Sequence, residues 1–177
     1  SNAYPPLARG TLQAIFRNRP LDEVRRLGLS AEEERVVRET HKDVTGMLVV
    51  ARVVPDGPGC RAGLAEGDVL LTVNGTSVVG YVPLETALDD AVEGGASVEL
   101  HIRRGSSTKL LTIAPQSLWE VLPDTFIEYS SGVVHALSYT QAVNANVRAG
   151  SVFVSHAGYS LGKSRVPSES IITRVGD

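Results

Sequence analysis

Two active-site signatures overlap in the segment VFVSHAGYSLGKS, residues 152–164. Residues 158–162 fit G-x-S-x-G, in which a serine on a sharp turn serves as the nucleophile of an esterase. Residues 157–164 read A-x-x-x-x-G-K-S, a phosphate-binding loop pattern with alanine in place of the first glycine. Both motifs follow a strand, and residues 152–154 are typical of one. The segment therefore raises the choice between an esterase, a nucleotide hydrolase and neither.

The residues around Ser160 and Lys163 fit neither chemistry. An esterase nucleophile of this type needs an acid and then a histidine later in the chain, and no histidine follows Ser160. A phosphate loop needs a helix directly after Lys-Ser, so that backbone N–H groups and the helix dipole face the phosphates. Here Arg165-Val166-Pro167 follows, and the rest of the chain is too short for a magnesium-binding aspartate and a core. We predict no catalytic residue in this chain.

An internal repeat explains the segment. A strand, a loop and a strand recur in the same order, with residues 46–50 aligned on 150–154 and residues 64–75 on 166–177. Self-similarity in a fixed order is evidence for a duplicated unit. In this register residues 159–162 take the place of residues 55–60, and Ser164 falls on Ala62. The segment is therefore predicted to be a strand and its connecting loop.

Composition places the chain among ordinary globular domains. Of its 177 residues, 42% are apolar and 21% are charged, which gives a formal net charge of −3. Nucleic-acid-binding domains usually carry a clear basic excess, so we predict no nucleic-acid partner.

The potential metal ligands and redox groups are few and scattered. Cys60 is the lone cysteine, which excludes an intrachain disulfide. The four histidines lack ligand-like spacing: His41, His101, His135 and His156. No apolar run approaches 18 residues, the length that a membrane-spanning helix needs. We predict no metal, no cofactor and no membrane insertion. Residues 1–3, Ser-Asn-Ala, look like the scar of a removed expression tag.

The pattern of apolar residues predicts a mainly β, α+β fold. Strands are expected at residues 12–17, 46–54, 69–73, 97–102, 109–113 and 126–129, and helices at 20–27, 31–40, 83–93 and 139–146. Residues 55–59 are predicted to form a loop. Residues 4–115 then form a partly open β-barrel or sandwich with two to three helices. A linker, residues 116–123, precedes a second unit at residues 124–177.

Residues 46–75, GMLVVARVVPDGPGCRAGLAEGDVLLTVNG, resemble the centre of a PDZ domain of the HtrA/Deg serine protease type. Residues 9–29 resemble the first PDZ domain of plant Deg-type and fungal nuclear HtrA-like proteases. Residues 135–145, HALSYTQAVNA, are similar to the start of the second PDZ domain in that branch. The resemblance implies a complete PDZ domain followed by an incomplete one. The second unit lacks counterparts of residues 83–92 and 97–113.

The resemblance implies peptide binding by strand addition beside residues 12–16, with the helix at 83–92 supplying pockets. The implied peptide-binding residues are Gly10, Thr11, Leu12, Gln13, Ala14, Phe16, Leu84, Ala87, Leu88 and Ala91. Backbone N–H groups of Thr11, Leu12 and Gln13 would meet a carboxylate or a chain carbonyl. Gln13 stands where the family usually has glycine. Three acidic residues at the groove rim would favour Lys or Arg in the peptide: Glu85, Asp89 and Asp90.

The expected partners are peptides or unfolded protein segments, the protease domain of the same protein, and other copies in a homo-oligomer. The parent protein would be a trypsin-like serine endopeptidase acting in protein quality control, and this chain lacks its G-x-S-G-G nucleophile segment. Two alternatives stay open. One is an assembly module whose groove is closed, and the other is a PDZ scaffold unrelated to proteolysis. The resemblance leaves chloroplast and nucleus both open as compartments.

Overall fold

The computed structural model describes residues 7–174, which divide into two units between Leu118 and Trp119. The suspected tag scar and the last three residues of the repeat lie outside this range. Within it, no helix is long and apolar enough to cross a membrane. Across the same residues, no group of three or more His, Cys, Asp or Glu side chains is arranged to hold a metal ion.

The first unit is built on an open antiparallel sheet. Its strands are β1 (Gly10–Thr11), β2 (Ala14–Pro20), β3 (Gly46–Val53), β4 (Val69–Val73), β5 (Thr76–Ser77), β6 (Val98–Arg104), β7 (Ser107–Ile113) and β8 (Gln116–Ser117). Its helices are α1 (Leu21–Arg26), α2 (Ala31–Thr40), α3 (Pro58–Arg61) and α4 (Tyr81–Gly94). The main sheet has the order β2-β3-β4-β6-β7, β5 pairs with β4, and β1 pairs with β8 separately. The mainly β fold is confirmed, and the sheets are open rather than closed into a barrel.

Local signals explain most helix boundaries. The predicted capping box of α2 is present, since the Glu33 N–H donates to Ser30 Oγ at 3.2 Å and the Ser30 N–H donates to the Glu33 carboxylate at 2.9 Å. Helix α4 begins at Tyr81, two residues before the predicted start, because Pro83 is tolerated in a first turn that needs no N–H donor. It ends at Gly95, whose φ of +62° suits glycine. Helix α3 is a single short turn that begins within the predicted loop and ends two residues beyond it.

Two apolar clusters lie on opposite faces of β3. One includes Leu48 and Val50 with helix α4 and strand β6, and the other includes Met47 and Val49 with helix α1. All four of these β3 side chains are at most 5% exposed. A strand covered on both faces reads as a continuous apolar run, which is why the sequence of β3 does not alternate.

A buried carboxylate holds the loop that enters β4. Asp68 is completely buried, and its two oxygens accept hydrogen bonds from the Arg104 guanidinium at 2.6 and 2.7 Å. The Ala65 N–H also donates to Asp68, at 2.8 Å. A buried charge needs such partners, so this cluster ties the loop to the end of β6.

The second unit is a smaller antiparallel sheet with two helices. Its elements are β9 (Phe126–Tyr129), β10 (Gly132–Ala136), α5 (Tyr139–Ala145), β11 (Val152–His156), α6 (Gly158–Lys163) and β12 (Ser170–Ile172). The sheet order is β12-β11-β10-β9. Ser130 and Ser131 join β9 to β10 with φ values of +51° and +61°, the backbone of a tight hairpin turn. Strand β10 is absent from the sequence-based prediction.

Backbone pairing confirms the internal repeat. Val49 faces Val69 between β3 and β4, and the aligned Phe153 faces Ile171 between β11 and β12. The Gly67 N–H donates to the Val50 carbonyl at 2.8 Å. In the second unit, the aligned Glu169 N–H donates to the carbonyl of Val154, the counterpart of Val50, at 2.7 Å. The two units therefore follow the same strand–loop–strand path.

Residues 158–163 of the segment that carries both catalytic signatures are helical, so their prediction as a connecting loop is wrong, whereas the strand predicted at residues 152–154 lies in β11. Helix α6 spans Gly158–Lys163 and takes the place of helix α3 in the first unit. The repeat alignment places the segment correctly between its two strands. Its conformation is predicted from the first copy, where the aligned stretch is rich in turn-forming residues at 55–59. That stretch also contains the start of a helix.

Candidate peptide-binding groove

Helix α6 carries the two catalytic signatures without their geometry. The helix ends at Lys163, whereas a phosphate loop requires a helix to begin there. The Ser164 hydroxyl donates to the Ser160 carbonyl at 3.1 Å, and the Lys163 ammonium lies 5.9 Å from the centre of the Tyr159 ring. These side chains make contacts within their own helix.

The outer edge of β2 presents backbone groups to a side chain of α4. The Asn18 N–H donates to the Tyr81 hydroxyl at 3.1 Å, and that hydroxyl donates to the Phe16 carbonyl at 3.4 Å. Alternate residues of a strand direct their backbone groups to opposite sides. The backbone carbonyl of Phe16 and the backbone N–H of Asn18 therefore point away from β3, toward the first turn of α4. Among the described residues, β2 is one of the two edge strands of its sheet, and β7 is the other.

The loop before β2 is tightly bonded and buried. Leu12 is 2% exposed, and its carbonyl accepts a hydrogen bond from Gly59 at 2.9 Å. Gln13 has a φ of +52°, in the left-handed region that favours glycine. Its N–H donates to Thr11 Oγ1 at 3.0 Å, and its side chain donates to Gln116 Oε1 at 2.8 Å.

Strand β1 packs directly on the later turns of α4. A Cβ on Gly10 would lie 2.2 Å from the Leu88 carbonyl oxygen, so only glycine fits there. The Gly10 N–H donates to Asp89 at 2.7 Å, and the Arg9 guanidinium donates to the same carboxylate at 3.0 Å. These contacts close the space between β1 and the second half of α4.

All ten predicted peptide-binding residues lie on β1, on the loop, on β2 or on α4. Leu12, Leu84, Leu88 and Ala91 are buried in the core, and Ala14, Phe16 and Ala87 pack against it half-buried. Their role in binding stays a prediction. The predicted acidic rim is divided, since Glu85 and Asp90 are exposed whereas Asp89 is bonded to β1.

Tyr81 and Asn18 are not among the binding residues predicted from the sequence. A predicted helix start at Pro83 leaves Tyr81 outside α4, and Asn18 lies beyond the predicted end of its strand. The signal available in the sequence is the aromatic residue directly after Gly80, at the entry to an amphipathic helix.

A carboxylate with a strongly lowered pKa lies on α2, away from β2 and α4. Hydrogen bonds from the guanidinium groups of Arg25 and Arg38 lower the pKa of Glu34 to about 2. The Glu34 oxygens lie 2.5 and 2.8 Å from Arg25 and 2.9 Å from Arg38. Perturbed carboxylates occur both in active sites and in ion-pair networks, and full pairing with two arginines indicates a structural role here.

The PDZ domain family model matches residues 49–104, which run from β3 through α4 to the end of β6. Over these residues the first unit is similar to a PDZ domain. This match covers α4 and the strands from β3 to β6, but it reaches neither β2, the strand of the candidate groove, nor the loop before it.

Two similar proteins extend the match over nearly the whole chain. Protease Do-like 7 of Arabidopsis thaliana is 44% identical over 97% of this chain, and the pro-apoptotic serine protease nma111 of Neosartorya fischeri is 38% identical over 96%. The chain spans only 15% and 16% of the length of these two relatives. It is therefore similar to a PDZ region of HtrA/Deg-type serine proteases.

Among solved structures, a crystal structure of the HtrA3 PDZ domain bound to a phage-derived ligand (FGRWV) is 24% identical. The similarity covers 60% of this chain and 86% of that chain, with a TM-score of 0.40.

Proposed function

We propose that the PDZ domain of this chain binds extended protein segments as an added strand along the outer edge of β2. The observation that carries this proposal is the bonding of Asn18 and Phe16. Their outward N–H and carbonyl groups are satisfied by the hydroxyl of Tyr81, a side chain, rather than by a neighbouring strand. A strand edge of this kind is a template for another strand.

On binding, backbone hydrogen bonds between β2 and the added strand replace the hydrogen bonds that the Tyr81 hydroxyl makes to Asn18 and Phe16. In an antiparallel pair, the Phe16 carbonyl and the Asn18 N–H bond to two residues of the added strand that are two positions apart. About four backbone bonds at ~1 kcal/mol net and one apolar side chain at ~2 kcal/mol, less the cost of association, give micromolar or weaker affinity. The exposed carboxylates of Glu85 and Asp90 on α4 support a mild preference for Lys or Arg in the segment.

Weak, reversible capture suits a role beside a protease domain. The relatives are named as proteases, and the chain spans about a sixth of their length or less. In the whole protein, we place the PDZ domain as the part that presents unfolded substrate segments to a trypsin-like domain or regulates that domain.

A second candidate function is assembly of protease subunits through a domain whose groove is closed. The packing of Gly10 on Leu88 and the Tyr81 hydroxyl on the β2 edge favour it. The two functions differ in what they predict for free peptides, because a closed groove binds none.

The experiment compares Asn18→Pro with Asn18→Ala in an assay of binding to fluorescent peptides. Proline removes the outward N–H of an edge position, where it is tolerated, whereas alanine keeps that N–H and removes the side-chain bond to the Val79 carbonyl. We expect Asn18→Pro to weaken binding about tenfold or more and Asn18→Ala to change it about twofold or less. Circular dichroism checks that both variants fold.

Equal binding by the two variants would contradict strand addition at β2. A failure of the unchanged chain to bind any peptide, together with self-association in sedimentation experiments, would favour the assembly module instead.

A further inference from the structure

We infer that the groove accepts internal extended segments and does not read a free C-terminal carboxylate. This inference rests on the proposed strand addition at β2 and specifies the class of ligand. Three features at the start of β2 support it: an occupied amide, a wedged glutamine side chain and a carboxylate already in place.

The first feature is the Gln13 amide. Loops that hold a carboxylate do so with free backbone N–H donors. Here the Gln13 N–H donates to Thr11 Oγ1 at 3.0 Å, and Thr11 and Gln13 are only 7% and 5% exposed. The Thr11 hydroxyl thus already accepts the hydrogen bond from the Gln13 N–H, which a terminal carboxylate would otherwise accept.

The second feature is the side chain of Gln13. It is confined between Gly57, where an added Cβ would lie 2.7 Å from the Gln13 Cβ, and Gln116, to which it donates a hydrogen bond at 2.8 Å. These contacts hold Gln13 at a φ of +52°, a left-handed conformation that is strained for a non-glycine residue. A glycine would leave this part of the loop open, whereas the glutamine fills it.

The third feature is charge. Asp89 lies beside β1, where its carboxylate accepts from the Gly10 N–H at 2.7 Å and pairs with Arg9 at 3.0 Å. An anion therefore already uses the Gly10 N–H and the Arg9 guanidinium at this end of the groove. A second carboxylate would meet like charge, whereas the neutral carbonyl of an internal segment would not.

The test uses one peptide sequence in three forms. Short synthetic peptides are first screened on the chain, and the tightest binder is remade with a free C-terminal carboxylate, with a C-terminal amide, and embedded between Gly-Ser flanks at both ends. We expect the three forms to bind the unchanged chain with affinities within about twofold.

The double variant Thr11→Val/Gln13→Gly removes the hydroxyl acceptor together with the side chain that fills the loop, and it frees the backbone N–H of residue 13. A hydrogen bond to a charged group contributes about 1.5–3 kcal/mol, so we expect the free carboxylate form to gain about tenfold over the amide form in this variant. Thr86→Val makes the same threonine substitution at an exposed position of α4 and serves as the control. Thr11→Ala replaces Thr11→Val in the double variant if the valine form does not fold.

A tenfold preference of the unchanged chain for the free carboxylate would overturn the inference. So would the absence of any gain for the carboxylate in a folded double variant. If no form binds the chain or its variants, the proposed strand addition itself fails and this inference falls with it.

Discussion

Strand β2 of the first unit and strand β10 of the second occupy equivalent places but have different neighbours. Each begins with a bulge at the same point, between Ile15 and Phe16 in one and between Val133 and Val134 in the other. The outer edge of β10 pairs with the chain's own strand β9, whereas the outer edge of β2 meets the Tyr81 hydroxyl. One repeat therefore has its edge filled by a strand, and the other has its edge capped by a side chain.

The residues that enter the repeat decide this difference. In the second unit, the tight turn at Ser130 and Ser131 folds β9 directly back onto β10. In the first unit, the buried loop at Leu12 and Gln13 carries the preceding chain to β1, which pairs with β8 instead. The strands of a repeat can thus be alike while the edge available for another strand differs.

The loop between β3 and β4 in the first unit also differs from the loop between β11 and β12 in the second. In the first unit the buried Asp68 binds Arg104, whereas the aligned Ser170 only donates to the Pro167 carbonyl at 2.7 Å. Gly67 has a φ of +87° in the first unit, and the aligned Glu169 has a φ of +60° in the second. The loop of the first unit therefore contains a hydrogen-bonded charge at Asp68 and a glycine at residue 67. The aligned positions of the second unit contain neither.

The largest effect is expected from Asp68→Ala. This change leaves the Arg104 guanidinium and the Ala65 N–H without their acceptor, and we expect it to lower the free energy of unfolding of the first unit by about 3 kcal/mol. Ser170→Ala in the second unit should cost ~1 kcal/mol or less. Hydrogen exchange of the β4 and β12 amides measures both. Similar losses of unfolding free energy in the two units would contradict the conclusion that only the first unit depends on a buried, bonded charge at this position.

A reciprocal exchange of residues tests the backbone at the aligned position. Gly67→Glu should destabilise the first unit by about 1–2 kcal/mol, since its φ disfavours a side chain while the space around it is open. Glu169→Gly should stabilise the second unit by up to ~1 kcal/mol. Urea unfolding followed by hydrogen exchange in each unit gives the two values. Changes of the same sign would show that the positions are not equivalent.

The smallest effect is expected from Tyr81→Phe. Loss of the hydroxyl removes the side chain's competition for Asn18 and Phe16, so peptide affinity should rise about fivefold, equivalent to one net hydrogen bond. The Asn18 amide should also exchange faster in the free protein. Tyr159→Phe, at an exposed tyrosine of the second unit, is the matched control. Weaker peptide binding by Tyr81→Phe would mean that the hydroxyl contacts the ligand rather than competing with it.

Local patterns in the sequence predict most of the first unit. The Ser30–Glu33 capping box, the alternation of Val98 to Ile102 and the equivalent pairing of the two repeated strands are all present as predicted. Each depends on residues close in the chain or on a match between two copies, so each can be recognised without knowing the tertiary structure.

The contacts that define the groove could not be predicted in this way. Tyr81 and Asn18 are 63 residues apart, and their contact depends on how α4 packs beside β2. Gln13 could be identified as a departure from the usual glycine, but its bonds to Thr11 and Gln116 follow from a loop conformation that one sequence does not specify.

Strand addition at β2 is tested most directly by N-methylation of each amide in turn along a bound peptide. A methyl group removes one backbone donor and leaves the side chains unchanged. Because alternate residues of an added strand face β2, we predict that every second N-methyl group weakens binding about tenfold or more, while those between have little effect. Loss of affinity without this period of two would contradict binding as an added strand.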